Sequence, residues 1–276
     1  MAAFSTSSND GGRPTALVTG ASGGIGRAIA AALARRGYLV FGTARAPERL
    51  ADSERIAGVS YLALDLTDGE SVRRCAAATP PLDLLVSNAG ESQVGPLELL
   101  PAESVQRLFA VNVLGPVELI RLCLPGMRGR ERPAVILIGS LAAEYPIPFQ
   151  SVYAATKLAL RGIVLSLRTE LRPFGVRVAL IEPGDVRTDI QDRMERIDAT
   201  GSPYAPRVAE MSERARGAVA AGMSPELVAE RVCAVVAERR PRPVRGVGAE
   251  GSALELVGRL LPGKVKERLV ARRYGL

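Results

Sequence analysis

The sequence has no histidine and no tryptophan, and it has only three cysteines among its 276 residues. Without histidine, proton transfer near neutral pH needs another side chain, and a cysteine nucleophile would lack its usual partner. Cys75, Cys123 and Cys233 are widely spaced and fall in predicted helices. This spacing favours buried thiols in a reducing compartment over disulfides or a zinc site. We therefore predict no bound metal and a cytoplasmic location.

Other functional classes are also disfavoured. No apolar run approaches the roughly 20 residues of a membrane-spanning helix, so we predict no transmembrane segment. The start of the chain lacks the basic and apolar parts of a secretory signal, and residues 1–13 are predicted to be a flexible tail. The net charge of +7 comes almost wholly from arginine. Because these arginines are scattered and no nucleic-acid-binding motif accompanies them, we do not predict binding to nucleic acid.

Short apolar runs alternate with amphipathic segments of helical length from residue 15 to about residue 247. Strands are predicted at 16–18, 38–42, 60–63, 82–86, 134–138, 177–181 and 244–248, and helices at 25–36, 70–77, 102–124, 152–172 and 225–239. This pattern is typical of an α/β protein with a doubly wound, Rossmann-like parallel sheet of about seven strands and helices on both faces. We predict one catalytic domain, 14–276, in which 185–223 form a substrate lid and 252–276 a C-terminal helical extension.

A glycine-rich loop, T-G-A-S-G-G-I-G, lies between the first predicted strand and the first predicted helix. Backbone N–H groups of such a loop, together with the positive end of the following helix, can bind a pyrophosphate. We therefore predict a dinucleotide site rather than a glycine turn without a ligand. Its predicted contacts are Gly20, Ser22, Gly24, Ile25 and Gly26. Ser22 either assists the 2′-phosphate of such a dinucleotide or only supports the turn.

The end of the second predicted strand indicates which dinucleotide binds. An acidic residue there would bind the ribose 2′-hydroxyl of NAD, but the chain reads V-F-G-T-A-R and has no acid before Glu48. Arg45 can instead form a charge-assisted fork with a 2′-phosphate. NADP(H) is therefore the predicted cofactor. The alternative is that Arg45 caps a loop and that both coenzymes bind.

Tyr153 and Lys157 are four residues apart in Y-A-A-T-K, which places them on one face of a predicted helix. An ammonium this close is expected to lower a tyrosine pKa from roughly 10 by about one to three units, toward the range of a general acid or base. The alternative is an ordinary helix surface with an exposed lysine.

The glycine loop and Y-A-A-T-K together resemble the short-chain dehydrogenase/reductase family, and further motifs follow in that family's order. They are N-A-G at residues 88–90, Asn112 in V-N-V, Ser140 in I-G-S, and P-G at 183–184 followed by Thr188. The resemblance covers almost all of residues 15–248. The predicted lid and tail are similar to those of the hydroxysteroid and retinol dehydrogenase-like branch, which points to a bulky apolar ketone or alcohol.

The resemblance implies a catalytic tetrad of Asn112, Ser140, Tyr153 and Lys157. Tyr153 would exchange a proton with the carbonyl oxygen, and Ser140 would hydrogen-bond that oxygen. Lys157 would hold the ribose hydroxyls of the nicotinamide nucleotide and lower the pKa of Tyr153. Asn112 would position a water through its backbone carbonyl and a local distortion of its helix.

The resemblance also implies further coenzyme contacts. Asp65 and Leu66 would lie at the adenine ring, unless Asp65 is only a helix N-cap or a loop carboxylate. Thr188 would meet the nicotinamide carboxamide or the phosphates, unless it caps a lid helix. The other implied contacts are Asn88, Ala89, Gly90, Pro183, Gly184 and Val186.

Substrate contacts are expected after Ser140, after Gly184 and within the predicted lid. The candidates are Leu141, Ala142, Glu144, Tyr145, Pro146 and Phe149, and in the lid Ile190, Met194, Ile197, Met211 and Met223, which otherwise pack on the body of the protein. The lid arginines either attract an acidic or carrier-protein-tethered substrate or are solvated; they are Arg187, Arg193, Arg196, Arg207, Arg214 and Arg216. The basic tail either touches a membrane surface or packs over the pocket or a subunit interface.

These features predict an NADPH-dependent ketoreductase that reduces a bulky apolar or polyketide-like ketone or aldehyde. We expect a homodimer or homotetramer formed through helices 102–124 and 152–172, with a small carbonyl or alcohol compound as substrate. One alternative is an NADP-dependent dehydrogenase that works in the oxidative direction. Another is a nucleotide-sensing protein without turnover.

Overall fold

The structure is a computed structural model that describes residues 12–276, except for the side chains at positions 249, 250, 255, 256 and 259. The predicted tail, 1–13, lies almost wholly outside the described residues. The strands are β1 (Thr15–Val18), β2 (Leu39–Ala44), β3 (Val59–Ala63), β4 (Leu84–Ser87), β5 (Gln93–Val94), β6 (Ala134–Ile138), β7 (Arg177–Glu182), β8 (Glu195–Arg196) and β9 (Val244–Gly246).

The α-helices are α1 (Gly24–Arg35), α2 (Gly69–Ala77), α3 (Ala102–Phe109), α4 (Gly115–Met127), α5 (Ser151–Glu170), α6 (Ile190–Arg193), α7 (Ala205–Ala220), α8 (Pro225–Ala237), α9 (Gly248–Leu260) and α10 (Gly263–Tyr274). A π-helical turn, Ala110–Leu114, joins α3 to α4. A short 3-10 helix, Leu141–Ala143, follows β6.

Seven of these strands form one parallel sheet in the order β3-β2-β1-β4-β6-β7-β9. Helices cover both faces, which confirms the predicted Rossmann-like fold and its seven strands. The predicted strand at 244–248 is two residues too long, because Gly248 begins α9. The predicted lid contains α6, β8 and α7, and its short strand β8 pairs with β5, which the sequence did not predict.

Successive side chains of each central strand point to opposite faces of the sheet, so each strand contributes to two cores. Leu85 and Val135 pack on one face against α2, α4 and α5, whereas Leu84 and Ile136 pack on the other face against α1 and α8. Because both faces are covered, the central strands are apolar at nearly every position.

The combined helix from Ala102 to Met127 is long and apolar enough to cross a membrane by composition. The prediction that no apolar run reaches that length is therefore wrong. Half of the most apolar window is buried within the protein, and Leu119 and Ile120 pack in the core beneath the sheet. Its apolar character is explained by this packing.

Every βα connection of a parallel sheet leaves the sheet at the carboxyl ends of the strands. The glycine loop follows β1, Arg45 follows β2, and the N-A-G motif follows β4. Ser140 and Pro183 follow β6 and β7 at the same edge. The fold therefore brings motifs that are far apart in sequence to one side of the molecule.

Candidate active site

Tyr153 and Lys157 lie one turn apart in α5. The Nζ atom of Lys157 is 5.6 Å from the centroid of the Tyr153 ring, and it donates a hydrogen bond to the carbonyl oxygen of Ile138 at 3.3 Å. Lys157 is only 6% exposed. The alternative of an ordinary helix surface with an exposed lysine is therefore wrong.

Burial controls the protonation of both groups. Desolvation raises the pKa of Tyr153 above its ordinary value; a hydrogen bond with the Ser140 side chain acts in the opposite direction, and the charge of Asp185 adds to the rise. Burial also lowers the pKa of Lys157 to about 8, against an opposing effect of Glu182. The predicted lowering of the Tyr153 pKa is therefore wrong, because a buried site disfavours both the phenolate and the ammonium that would stabilise it.

Asn112 lies in the π-helical turn, so the predicted distortion of its helix is confirmed. Its Nδ2 atom donates to the carbonyl oxygen of Glu91 at 2.9 Å and to the Thr156 hydroxyl at 3.1 Å. Thr156 donates in turn to the carbonyl oxygen of Tyr153 at 2.7 Å. Asn112 is thus tied to the backbone beside the tyrosine. Sequence reasoning missed Thr156, although a small polar residue inside Y-A-A-T-K was an available signal.

Ser140 ends β6 and begins the 3-10 helix. Its hydroxyl oxygen accepts a hydrogen bond from the backbone N–H of Ala142 at 3.1 Å, and its side chain lies near enough to the Tyr153 hydroxyl to oppose the rise in the tyrosine pKa. The carbonyl oxygen of Pro183 accepts a hydrogen bond from the N–H of Leu141 at 3.0 Å. The segments after β6 and β7 are therefore held together beside the tyrosine.

The glycine loop has the backbone geometry that a phosphate site requires. Gly20 has a φ of +68°, a left-handed conformation that favours glycine. A Cβ atom on Gly26 would collide with the carbonyl oxygen of Gly20, so this position also has to be glycine. Gly23 is the N-cap residue of α1 and has no side chain that could cap the helix. The backbone N–H groups at this helix N-terminus can therefore bind an anion. Ser22 and Ile25 complete the loop, and both are half-buried.

The N-A-G motif is fastened to the glycine loop through Thr19. The hydroxyl oxygen of Thr19 accepts hydrogen bonds from the N–H groups of Asn88 and Ala89, each at 2.9 Å, and Asn88 Nδ2 donates to the carbonyl oxygen of Thr19 at 2.9 Å. A Cβ atom on Gly90 would lie 3.5 Å from Lys157 Nζ. The motif therefore links the glycine loop to Lys157.

Arg45 directly follows β2, and its side chain is 68% exposed and 3.7 Å from the carboxylate of Glu91. Glu91 pairs more closely with Arg107, at 2.7 Å. The guanidinium of Arg45 is therefore loosely held at the edge where the second strand ends. Glu91 and Arg107 were not among the predicted site residues.

Asp65 closes a local turn. Its carboxylate accepts hydrogen bonds from the N–H and the hydroxyl of Thr67 at 2.8 and 2.7 Å, and the side-chain bond is the main cause of the lowered pKa of Asp65. The N-cap of α2 is Asp68 instead. These contacts of Asp65 agree with the alternative that it is a loop carboxylate. Leu66 is buried beside it, 8% exposed.

The segment after Gly184 returns to the glycine loop. Val186 is buried and forms a parallel bridge with Met223. A Cβ atom on Gly24 would lie 3.1 Å from Thr188 Cγ2, so Thr188 borders the predicted phosphate site. The N-cap of α6 is Asp189, not Thr188.

The six lid arginines are all exposed, as expected for solvated side chains. Among them, Arg193 borders the glycine loop: its Nη2 atom lies 3.3 Å from where a Cβ atom on Gly23 would be, and it pairs with Asp189. Sequence reasoning placed Arg193 only on the substrate side.

Residues 14–198 match the family profile described as short chain dehydrogenase. The chain belongs to the short-chain dehydrogenase/reductase family. As a member, it is an oxidoreductase that acts on alcohol or carbonyl groups. The 3-ketodihydrosphingosine reductase of Bacteroides thetaiotaomicron is 33% identical over 237 residues, which cover 82% of this chain and 84% of that protein. Retinol dehydrogenase 8 of Bos taurus is 31% identical over 256 residues, covering 84% of this chain and 80% of that protein.

Solved short-chain dehydrogenase structures share the fold. One from Streptomyces avermitilis superposes with a TM-score of 0.80 at 32% identity, covering 94% of this chain and 96% of that one. A Burkholderia cenocepacia member in complex with NADP has a TM-score of 0.73 at 25% identity, covering 95% and 97% of the two chains. A Burkholderia phymatum member in complex with NAD has a TM-score of 0.77 at 26% identity, covering 93% and 95%. These neighbours support a nicotinamide coenzyme, and both NADP and NAD occur among them.

In this short-chain dehydrogenase, lid side chains pack against the segment after the N-A-G motif. Met194 and Met211 form a buried cluster with Val94 and Tyr274, and Phe149 packs on its edge. Ile197 and Met223 contact other parts of the body, near Gly95 and in the core under α8. Met194 and Met211 of the predicted apolar wall therefore belong to this cluster, whereas Ile197 and Met223 pack on the body of the protein, which is the alternative given for them.

Phe149 has a φ of +60°, the one non-glycine residue in the described chain with a positive φ. Its ring contacts that of Tyr204 in a T-shaped arrangement at 6.3 Å between centroids, and its carbonyl oxygen accepts a hydrogen bond from the N–H of Gly95 at 2.9 Å. Strained residues of this kind cluster at functional sites. Phe149 lies four residues before Tyr153, within the region predicted to contact substrate.

Sequence reasoning missed a buried ion network that joins α5, β7 and the segment after β6. Arg161 binds Glu182 at 2.7 Å and Glu144 at 2.5 Å, and Glu182 is fully buried. Lys266 of α10 also pairs with Glu144, and Arg273 of α10 pairs with Asp185 at 2.6 Å. The basic tail therefore packs against the segments that follow β6 and β7 of its own chain.

Proposed function

We propose that this short-chain dehydrogenase reduces a ketone or aldehyde to an alcohol, with NADPH as coenzyme. The observation that carries the proposal is the convergence of Tyr153, Ser140 and Lys157 at the edge where the dinucleotide loop also lies. The coenzyme supplies the hydride when it is bound. The residues of this chain orient the carbonyl oxygen and protonate it.

The raised pKa of Tyr153 suits the reductive direction. Because burial disfavours the phenolate, the phenol keeps its proton at neutral pH and can donate it to the oxygen as negative charge develops there. Ser140, whose side chain lies beside the phenol, can donate a second hydrogen bond to the carbonyl oxygen. Lys157, with a pKa of about 8, can pass a proton toward the tyrosine near neutral pH. The same groups can also serve the reverse reaction, the oxidation of an alcohol. The direction of the reaction therefore depends on whether the bound coenzyme is reduced or oxidised.

Arg45 supports NADPH over NADH. Its guanidinium is exposed, and the nearest carboxylate, that of Glu91, lies at 3.7 Å and is held more tightly by Arg107. A 2′-phosphate would gain a charge-assisted bond worth about 1.5–3 kcal/mol, and Arg193 offers a second cation beside the glycine loop.

Coenzyme titrations test this assignment. Arg45→Ala should weaken NADPH binding by about ten- to a hundredfold and leave NADH binding nearly unchanged. Arg49→Ala, an exposed arginine four residues further along the same segment, is the matched control. Equal affinity of the unaltered protein for both coenzymes would refute the NADPH assignment.

Turnover tests the chemistry separately. Coenzyme oxidation should be measured over a panel of steroid-like ketones, long-chain ketones, β-keto esters and aldehydes. Tyr153→Phe should abolish it while coenzyme affinity stays within a few-fold of the unaltered protein. Retained turnover across the panel would contradict the proton-donor role of Tyr153.

A bulky apolar carbonyl compound is the proposed substrate class. Val94, Met194, Met211 and Tyr274 provide an apolar cluster on the substrate side, and methionine adapts readily to large apolar ligands. The relatives named above are a 3-ketodihydrosphingosine reductase and a retinol dehydrogenase, and both names describe large lipid substrates. Activity confined to short aldehydes would contradict this proposal.

We propose that the protein is a cytoplasmic homodimer or homotetramer. Leu114, Leu158 and Leu165, in the π turn and on α5, are 62%, 53% and 48% exposed, and such apolar faces usually mark interfaces. Burial raises the pKa of the Cys75 thiol to about 11 and that of Cys123 to about 12, as expected for inert thiols in a reducing compartment. Leu165→Glu should lower the mass in light scattering; a monomeric starting protein would refute the proposal.

A further inference from the structure

The last helix has two faces with different chemistry. Lys266, Val270 and Tyr274, spaced four residues apart, point inward: Lys266 pairs with Glu144, and the other two join the apolar cluster on the substrate side. Residues at this spacing share one side of a helix. The opposite side of α10 is therefore left to solvent.

The outward side of α10 combines apolar and basic side chains. Val265 and Leu269 are 38% and 50% exposed, and Arg268 and Arg272 lie on the same side at spacings of three and four residues. Lys264 is exposed next to them. Among the side chains that the structure describes, no carboxylate lies within 4 Å of these three cations.

The preceding helix also exposes apolar side chains, and it ends close to the start of α10. Leu254, Val257 and Leu260 of α9 are 39%, 45% and 80% exposed, and Leu260 is separated from α10 by only two residues. We call the five apolar side chains of α9 and α10, with Lys264, Arg268 and Arg272, the outer C-terminal face. A globular protein rarely leaves several large apolar side chains together in water without a partner.

We propose that the outer C-terminal face docks on the surface of an anionic phospholipid bilayer. Helices with apolar side chains on one side and flanking lysine and arginine lie in the membrane interface, where the apolar groups enter the acyl boundary and the cations meet lipid phosphates. A twofold contact between two copies would place these cations against each other, which disfavours self-association through this face.

This docking would also place the substrate side of the protein near the membrane. The inner side of α10 contacts the apolar cluster, and the outer side would face the bilayer. The cluster and the bilayer would then be separated by one helix diameter, about 10 Å. A bulky apolar substrate dissolved in the bilayer would then have a short path to the protein. The proposal does not depend on the direction of the reaction or on the coenzyme.

Vesicle sedimentation of the full chain tests the proposal. The protein should bind vesicles that contain phosphatidylglycerol, bind much less to phosphatidylcholine alone, and dissociate at high salt because surface charges are screened. Arg268→Gln with Arg272→Gln should weaken binding by roughly 25-fold, since each basic residue contributes about fivefold. Arg239→Gln with Arg240→Gln, an equally exposed pair after α8, removes the same charge and should have little effect.

Two further measurements keep the test decisive. Leu260→Gln with Leu269→Gln should also weaken vesicle binding while thermal unfolding stays unchanged, because both side chains are exposed. The proposal is overturned if the unaltered protein does not bind anionic vesicles, or if both arginine pairs have equal effects. It is also overturned if the leucine variant changes the mass in light scattering without vesicles, since the face would then join two copies of the chain.

Discussion

Replacing Lys157 by methionine is expected to abolish turnover and to make the protein more stable. Lys157 is 6% exposed, and burial lowers its pKa from 10.5 to about 8. At pH 7 the folded protein therefore carries a charged group in a place that favours the neutral form. Methionine has a similar length and no charge, so the substitution removes the free-energy cost of keeping a charged group buried.

The size of the effect follows from the pKa. A shift from 10.5 to about 8 corresponds to about 3 kcal/mol of destabilisation at pH 7, at about 1.4 kcal/mol per unit. The substitution also removes the hydrogen bond from Nζ to the carbonyl oxygen of Ile138 at 3.3 Å, which costs about 1 kcal/mol. A net gain of about 2 kcal/mol in the free energy of unfolding is expected.

Urea unfolding at several pH values measures this gain. Between pH 8 and 10 the unfolded chain keeps the Lys157 proton while the folded chain releases it, so the stability of the unaltered protein should rise with pH relative to Lys157→Met. The advantage of the variant should shrink over that window. Lys264→Met, at an exposed position of α10, should change stability by less than about 0.5 kcal/mol. A Lys157→Met protein less stable than the original at pH 7 would refute the reasoning.

Three further substitutions probe other contacts. Gly26→Ala places a methyl group against the loop backbone and should abolish NADPH binding in fluorescence titration; an unchanged affinity would count against the loop. Arg161→Met removes the cation at 2.7 Å from the fully buried Glu182. It should lower the free energy of unfolding, measured with urea at pH 7, by about 3–5 kcal/mol, and by less at acidic pH, where the carboxylate is protonated. An unchanged stability would contradict this. Thr156→Val breaks the link to Asn112 at 3.1 Å and should cost about 1–3 kcal/mol and lower kcat; full activity would show that the link is dispensable.

The seven-stranded sheet could be predicted because a strand buried on both faces needs a continuous apolar run. The run at 134–138 coincides with β6. Boundaries failed where the local signal is ambiguous: Gly248 ends an apolar run but begins α9, because a glycine can end a strand or open a helix. The pairing of β5 with β8 joins segments about 100 residues apart, and two-residue strands leave no pattern to read.

The sequence by itself determined that Tyr153 and Lys157 share a helix face, since their spacing alone sets this. Only the tertiary structure decided how these groups ionise and what surrounds them. The pKa of Tyr153 is raised rather than lowered, because desolvation depends on every segment that covers the phenol. The network of Arg161, Glu182 and Glu144 likewise joins α5, β7 and the segment after β6. Such effects depend on distances between residues remote in sequence, and only the folded chain sets those distances.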